Sequence, residues 1–158
     1  MLFLGCLIVL ANYYCYDQPA ALENEIEAEF KIDKATFGLL YTFYAIPNLF
    51  MPILGGFLFD KIGTSYGIVI FSVIVCFGQG LYVMGCNTER LWWNLALTGR
   101  FIFGIGCEAM YVGQSAIVSE WFIDFELPFA ISMISFVPLF GSFASGALIP
   151  SIYFRNSF

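Results

Sequence analysis

Residues 35–59 carry no charged side chain and residues 66–86 carry none. Between these runs lies a short charged turn, Gly55-Gly56-Phe57-Leu58-Phe59-Asp60-Lys61-Ile62-Gly63. A helix rises about 1.5 Å per residue, so crossing a hydrocarbon core about 30 Å thick takes roughly 20 apolar residues. Both runs therefore predict membrane spans, and the connection is short enough to force them into a tight antiparallel pair. An acid and a base at such a turn point to a role in how helices meet. The chain reads as an integral membrane protein.

Composition supports the same class. Apolar residues make up 60% of the chain and charged residues 11%, against about 25% charged in soluble domains. The net charge of −6 comes largely from one connector, where Glu23, Glu25, Glu27, Glu29 and Asp33 are offset by Lys31 and Lys34. With no histidine and no basic patch, nucleic-acid binding and His-ligated metal sites find no support, and no cofactor is expected. Cys6, Cys15, Cys76, Cys86 and Cys107 lie in or beside apolar runs with no CxxC pair, which predicts packing residues. No nucleophile–base set or phosphate loop marks an enzyme.

The predicted fold class is all-α, a multi-pass membrane protein with five spans at about 1–21, 35–59, 66–86, 91–121 and 128–150. A signal peptide competes for the first segment. That segment lacks a basic opening, however, and its second half (Asn12, Tyr13, Tyr14, Tyr16, Asp17) is too polar for a simple apolar core and cleavage site. Leu22, Ile26 and Phe30 recur every fourth residue and predict a helical extension between the first two spans. Trp92, Trp93 and Trp121 mark the ends of the fourth span, where indole rings favour the interface. The residues 87–90, with Arg90, predict a polar turn. Pro47, Pro52 and Pro138 predict kinks. Counting Lys and Arg by side places the acidic connector in the cytosol.

A charged group inside a span costs about 2.5–3.5 kcal/mol on insertion scales and so calls for a partner or a cavity. Asp17, Arg100 and Glu108 are such groups. Arg100 and Glu108 stand eight residues apart on one helix, about 12 Å along the axis and about 80° around it, so each must find its partner elsewhere. Polar stripes accompany them: Tyr13, Tyr16 and Asp17; Tyr41, Tyr44 and Asn48; Glu108, Tyr111 and Ser115; Ser132, Ser135, Leu139 and Ser142. They suggest a shared polar seam. The simpler alternative is that serines and tyrosines bond neighbouring backbone or hold helices together.

Two motifs carry a family resemblance. Gly56-Phe57-Leu58-Phe59-Asp60-Lys61-Ile62-Gly63 resembles the signature between helices two and three of the major facilitator superfamily, G-x-x-x-D-[RK]-x-G. Gly99-Arg100-Phe101-Ile102-Phe103-Gly104-Ile105-Gly106 resembles its helix-four signature. Tyr13-Tyr14-Cys15-Tyr16-Asp17-Gln18-Pro19 and Leu39-Leu40-Tyr41-Thr42-Phe43-Tyr44-Ala45-Ile46-Pro47-Asn48 further resemble a subfamily of lysosomal dipeptide carriers. The resemblance covers nearly the whole chain, but only the first five helices of a twelve-helix carrier. It implies an incomplete N-terminal six-helix lobe, a small-molecule substrate, alternating access and a lysosomal or other endomembrane location. A single-pass lysosomal glycoprotein accessory partner is implied as well. It also implies a cytoplasmic helix 2–3 turn, which puts the acidic connector in the lumen, against the Lys/Arg count; the two signatures outweigh a difference of three charges.

On the same basis Glu108, Tyr111, Asp17, Tyr13 and Tyr44 are the expected substrate-binding residues. Gly56, Asp60, Lys61, Gly63 and Arg100 are the expected gating residues. Glu108 would suit a substrate's amino terminus, and Asp60 would latch a helix of the second lobe. Leu139 departs from the pattern, standing where the subfamily carries an arginine suited to a peptide carboxylate. Thr64-Ser65 replaces two basic residues of the loop. The leading expectation is the transport of a dipeptide or amino-acid-like solute by a carrier of which this chain is a part. The alternatives are a truncated, non-transporting membrane subunit and a carrier of a sugar or organic anion.

Overall fold

The computed structural model describes residues 2–87 and 92–156, and the polar turn expected at 87–90 lies, from Thr88 on, outside the described residues. Among the described residues, eight helices follow one another: α1 (Leu2–Tyr16), α2 (Gln18–Ala21), α3 (Glu23–Phe30), α4 (Lys34–Asn48), α5 (Met51–Ile62), α6 (Thr64–Asn87), α7 (Trp93–Trp121) and α8 (Glu126–Asn156). Three are long and apolar enough to cross a membrane, and a fourth crossing results if α4 and α5, bent by 47° at their junction, form one span.

The bend has a local cause. Pro52 follows the junction and has no N–H for the Asn48 carbonyl, so the ladder tightens there. Leu49 donates to the Ile46 carbonyl at 3.3 Å and Phe50 to that of Pro47 at 3.0 Å. These are three-residue steps in place of four. The first expected span is also interrupted. Helix α1 has 15 residues, about 22 Å at helical rise, short of a full hydrocarbon core. It breaks at Asp17 because Pro19, buried in the second position of α2, cannot donate to the preceding turn. In α8 the helix runs unbroken past Pro138.

The connection expected as a charged turn over residues 55–63 is a single residue. Helix α5 continues to Ile62 because nothing before Gly63 breaks it, so Asp60 and Lys61 stand on its last turn. Gly63 adopts φ 87° and ψ 143°, and its amide bonds the Phe59 carbonyl at 2.9 Å. A side chain is strained in that left-handed region, so glycine is required there. Asp33 opens α4 by accepting from the Thr36 amide at 3.2 Å and from the Thr36 hydroxyl. Those bonds hold its carboxyl below the usual carboxylate range.

The chain forms two compact units, residues 30–117 and residues 1–29 with 118–158. In the second of these, α1 lies against α8 over a core of Cys6, Val9, Val118, Ala130 and Ile134. Gly141 lets the backbones approach there: a Cβ on it would meet the Leu10 carbonyl oxygen. In the unit 30–117, α6 and α7 pack at backbone contact. A Cβ on Gly78 would lie 2.5 Å from the Phe103 nitrogen, and one on Gly99 2.5 Å from the Tyr82 nitrogen. Between helices in lipid, close packing of small residues replaces the hydrophobic effect as the source of association. The outer face of α6 (Tyr66, Val69, Val73, Phe77) is exposed and apolar, as suits a surface against acyl chains.

Two outcomes test these elements. Gly78→Ala should lower the melting temperature in detergent, since overpacking costs about 1–3 kcal/mol. Gly80→Ala, where an added Cβ meets nothing within 4 Å, should leave it unchanged or raise it. Asp33→Ala should speed hydrogen exchange at the Thr36 amide. Because the folded pKa is depressed, the cap's contribution is fully present above the unfolded carboxyl value of about 3.9 and is lost as pH falls through the lower folded value. The difference between variant and native chain should therefore vanish on strong acidification.

Candidate functional site

Helix α7 carries the two charges that the sequence singles out, and the unit 30–117 gives each a different partner. Tyr44 of α4 donates its hydroxyl to Oε1 of Glu108 at 3.5 Å. The two helices come together at Gly104, whose Cβ would lie 2.6 Å from the Tyr44 carbonyl oxygen. Glu108 is half-buried and Tyr44 buried, so the carboxylate keeps one face toward the outside of the unit. It can accept a hydrogen bond or a cation there.

Arg100 is 1% exposed. Its guanidinium carbon lies 4.3 Å from the Tyr82 ring centroid and 5.6 Å from that of Phe103. Both fall within the roughly 6 Å range of a cation over an aromatic face. Desolvated contacts of that kind contribute about 2 kcal/mol, the same order as the insertion cost of the cation. Arg100 thus lies inside the protein, on two rings.

The Phe103 ring also packs against that of Tyr44, centroids 5.9 Å apart. A continuous run of contacts therefore joins Arg100 to Glu108 by way of Phe103 and Tyr44. Sequence reasoning missed Tyr82 and Phe103. Their signals were faint but present, since Phe103 follows Arg100 by one turn and Tyr82 falls between Gly78 and Gly85 on the face that meets α7.

The remaining expected residues are more dispersed. Tyr111 stands one turn beyond Glu108 and is exposed, with its carbonyl accepting from the Ser115 hydroxyl at 2.9 Å. Asp60, Lys61 and Gly63 are exposed at the end of α5, and the Lys61 ammonium lies 4.5 Å above the Phe57 ring. A Cβ on Gly56 would meet nothing within 4 Å, so that glycine serves no close approach among the described residues. Tyr13 and Asp17 belong to the other unit, both half-buried. There Tyr13 packs edge-on to Tyr16 at 6.0 Å, and Asp17 stands at the break before α2. Two hydroxyls of the α8 stripe turn back to their own helix, Ser132 to the Pro128 carbonyl at 2.7 Å and Ser135 to that of Ile131 at 3.1 Å. For these two the simpler role, bonding to backbone, holds. Among the described residues no group of three or more acidic, cysteine or histidine side chains could hold a metal ion.

Removing the Tyr44 hydroxyl tests the pair. Tyr44→Phe should keep the fold, because the ring still packs on Phe103. Infrared difference spectroscopy with isotope-edited glutamate should then show the Glu108 carboxylate band shift; an unmoved band would dissolve the pair.

Comparison with known proteins agrees with the residues that carry the resemblance. The Major Facilitator Superfamily model matches residues 2–158. The chain is 41% identical over 128 residues to the mouse (Mus musculus) lysosomal dipeptide transporter MFSD1, covering 80% of this chain and 27% of that protein. It is 38% identical over 128 residues to the human (Homo sapiens) protein, with the same coverage. Its identity to the zebrafish (Danio rerio) protein is 35% over 156 residues, 98% of this chain and 33% of that one. The chain thus spans a third or less of the length of these curated relatives. With the model match running from end to end and both signature motifs in place, the chain belongs to the Major Facilitator Superfamily.

Proposed function

We propose that this chain forms five helices of the first lobe of a facilitator carrier. The carrier moves a dipeptide or amino-acid-like solute across a lysosomal or related membrane by alternating access. The α4–α5 pair would be one bent span, and α1 with α2 would complete the first. The observation that carries the reading is the Glu108–Tyr44 pair at 3.5 Å, a half-buried carboxylate within a helix long enough to cross a membrane. The relatives that match this chain are named lysosomal dipeptide transporters, which supports a solute with a free amino terminus.

A carboxylate bonded by one neutral hydroxyl keeps spare acceptor sites for an incoming ammonium group. Asp17, at the helix break before α2, is by itself a second candidate acid for substrate binding. Lys61, Asp60, Gly56 and Gly63 form the signature at the α5–α6 connection. The uncrowded surface at Gly56 leaves room for a further element of the carrier to close against it. The solute's carboxylate would have no anchor at Leu139, which is apolar and exposed, so recognition would lean on the amino terminus.

Reconstitution tests this. In liposomes holding the full-length carrier, dialanine uptake should exceed that of N-acetyl-dialanine. Glu108→Gln should lower dialanine uptake roughly tenfold and erase the preference, the scale of losing one charge-assisted hydrogen bond. Uptake of both compounds at equal rates, or unchanged kinetics in Glu108→Gln, would reject the assignment.

A further inference from the structure

The Arg100 cation is enclosed by the protein at 1% exposure, so it cannot meet a solute directly. Two of the groups it touches are aromatic rings. Tyr82, 4% exposed, presents its ring face at 4.3 Å, and Phe103, fully buried, at 5.6 Å. This contact exists because Gly78 and Gly99 bring α6 and α7 to backbone distance on either side of it. The Phe103 ring then leans on the Tyr44 ring, whose hydroxyl holds Glu108. Each member of the series is restrained by the next, and only Glu108 reaches outward.

We propose that Tyr82 is a positioning residue: its ring face holds the Arg100 cation in the α6–α7 seam and thereby sets, through Phe103 and Tyr44, where the Glu108 carboxylate stands. The consequence for transport rests on Glu108 serving the solute as proposed above. The hold of Tyr82 on Arg100 does not. If the ring served as filler alone, any apolar side chain of similar bulk would replace it. If its negative face matters, its electron density does.

Phenylalanine derivatives carrying none to three ring fluorines, placed at position 82 of the full-length carrier, separate the two. They change shape little and drain the ring face in steps. The melting temperature in detergent should fall stepwise along the series, by about 2–4 °C in all. In the Arg100→Lys background, where a compact ammonium replaces the planar cation, the slope should change. For dialanine uptake, Tyr82→Phe should stay within about twofold of the native carrier. Tyr82→Leu should raise KM roughly fivefold to tenfold with Vmax little altered, since a misplaced Glu108 weakens binding before it slows the cycle. A melting temperature indifferent to fluorination overturns the hold on Arg100, whatever the carrier transports. A stepwise fall in melting temperature with equal KM for the Phe and Leu variants overturns the link to Glu108. Absence of any dialanine uptake by the native carrier would count against the proposed substrate alone, with the melting series still deciding the Tyr82–Arg100 contact.

Discussion

A permanent positive charge inside a membrane protein must be compensated within the protein, and the packing of α7 is organised around that requirement. At 1% exposure, the Arg100 guanidinium is surrounded by protein groups. Two aromatic faces of the unit 30–117 supply part of that compensation. Those faces come within range only because glycines remove the side chains that would hold α6 and α7 apart. Small residues at one crossing thus decide where a charge can reside a few ångströms away.

The same helix handles its acid by the opposite means. Glu108 is half-buried and meets one neutral donor, the Tyr44 hydroxyl. Neutral pairing leaves the carboxylate able to accept a second partner, whereas a salt bridge to Arg100 would have spent it. The eight-residue separation prevents that bridge by geometry, since the two side chains leave the helix about 12 Å apart. One helix therefore presents a charge that is locked in and a charge that is open.

Much of the helical layout is legible from charge alone. The uncharged runs at 35–59 and 66–86 make up most of the helices α4 to α6, and Trp93 and Trp121 are the first and last residues of α7. Gly63 was legible as a turn, although the helix before it runs on to Ile62, because Asp60 and Lys61 are tolerated in a last turn. Less legible was the shortness of α1, expected to run to about residue 21, because Pro19 withdraws an amide and the helix stops at Tyr16. In the site, Glu108 and Arg100 stood out as charges in apolar surroundings. Tyr82 did not, being one of nine tyrosines in the chain. Its part depends on which face of α6 meets α7, a fact of tertiary packing. The α8 stripe shows the converse: Ser132 and Ser135 fall on one face by spacing, yet each satisfies itself on its own backbone.

The most direct measurement is thiol labelling of single-cysteine variants at positions 100 and 108 in a carrier stripped of its native cysteines. A charged, membrane-impermeant reagent should modify the cysteine at 108, and dialanine should slow that modification, while the cysteine at 100 stays unmodified until the protein unfolds. Equal labelling at both positions, or labelling at 108 by lipid-soluble reagents alone, would contradict a locked cation beside an accessible carboxylate.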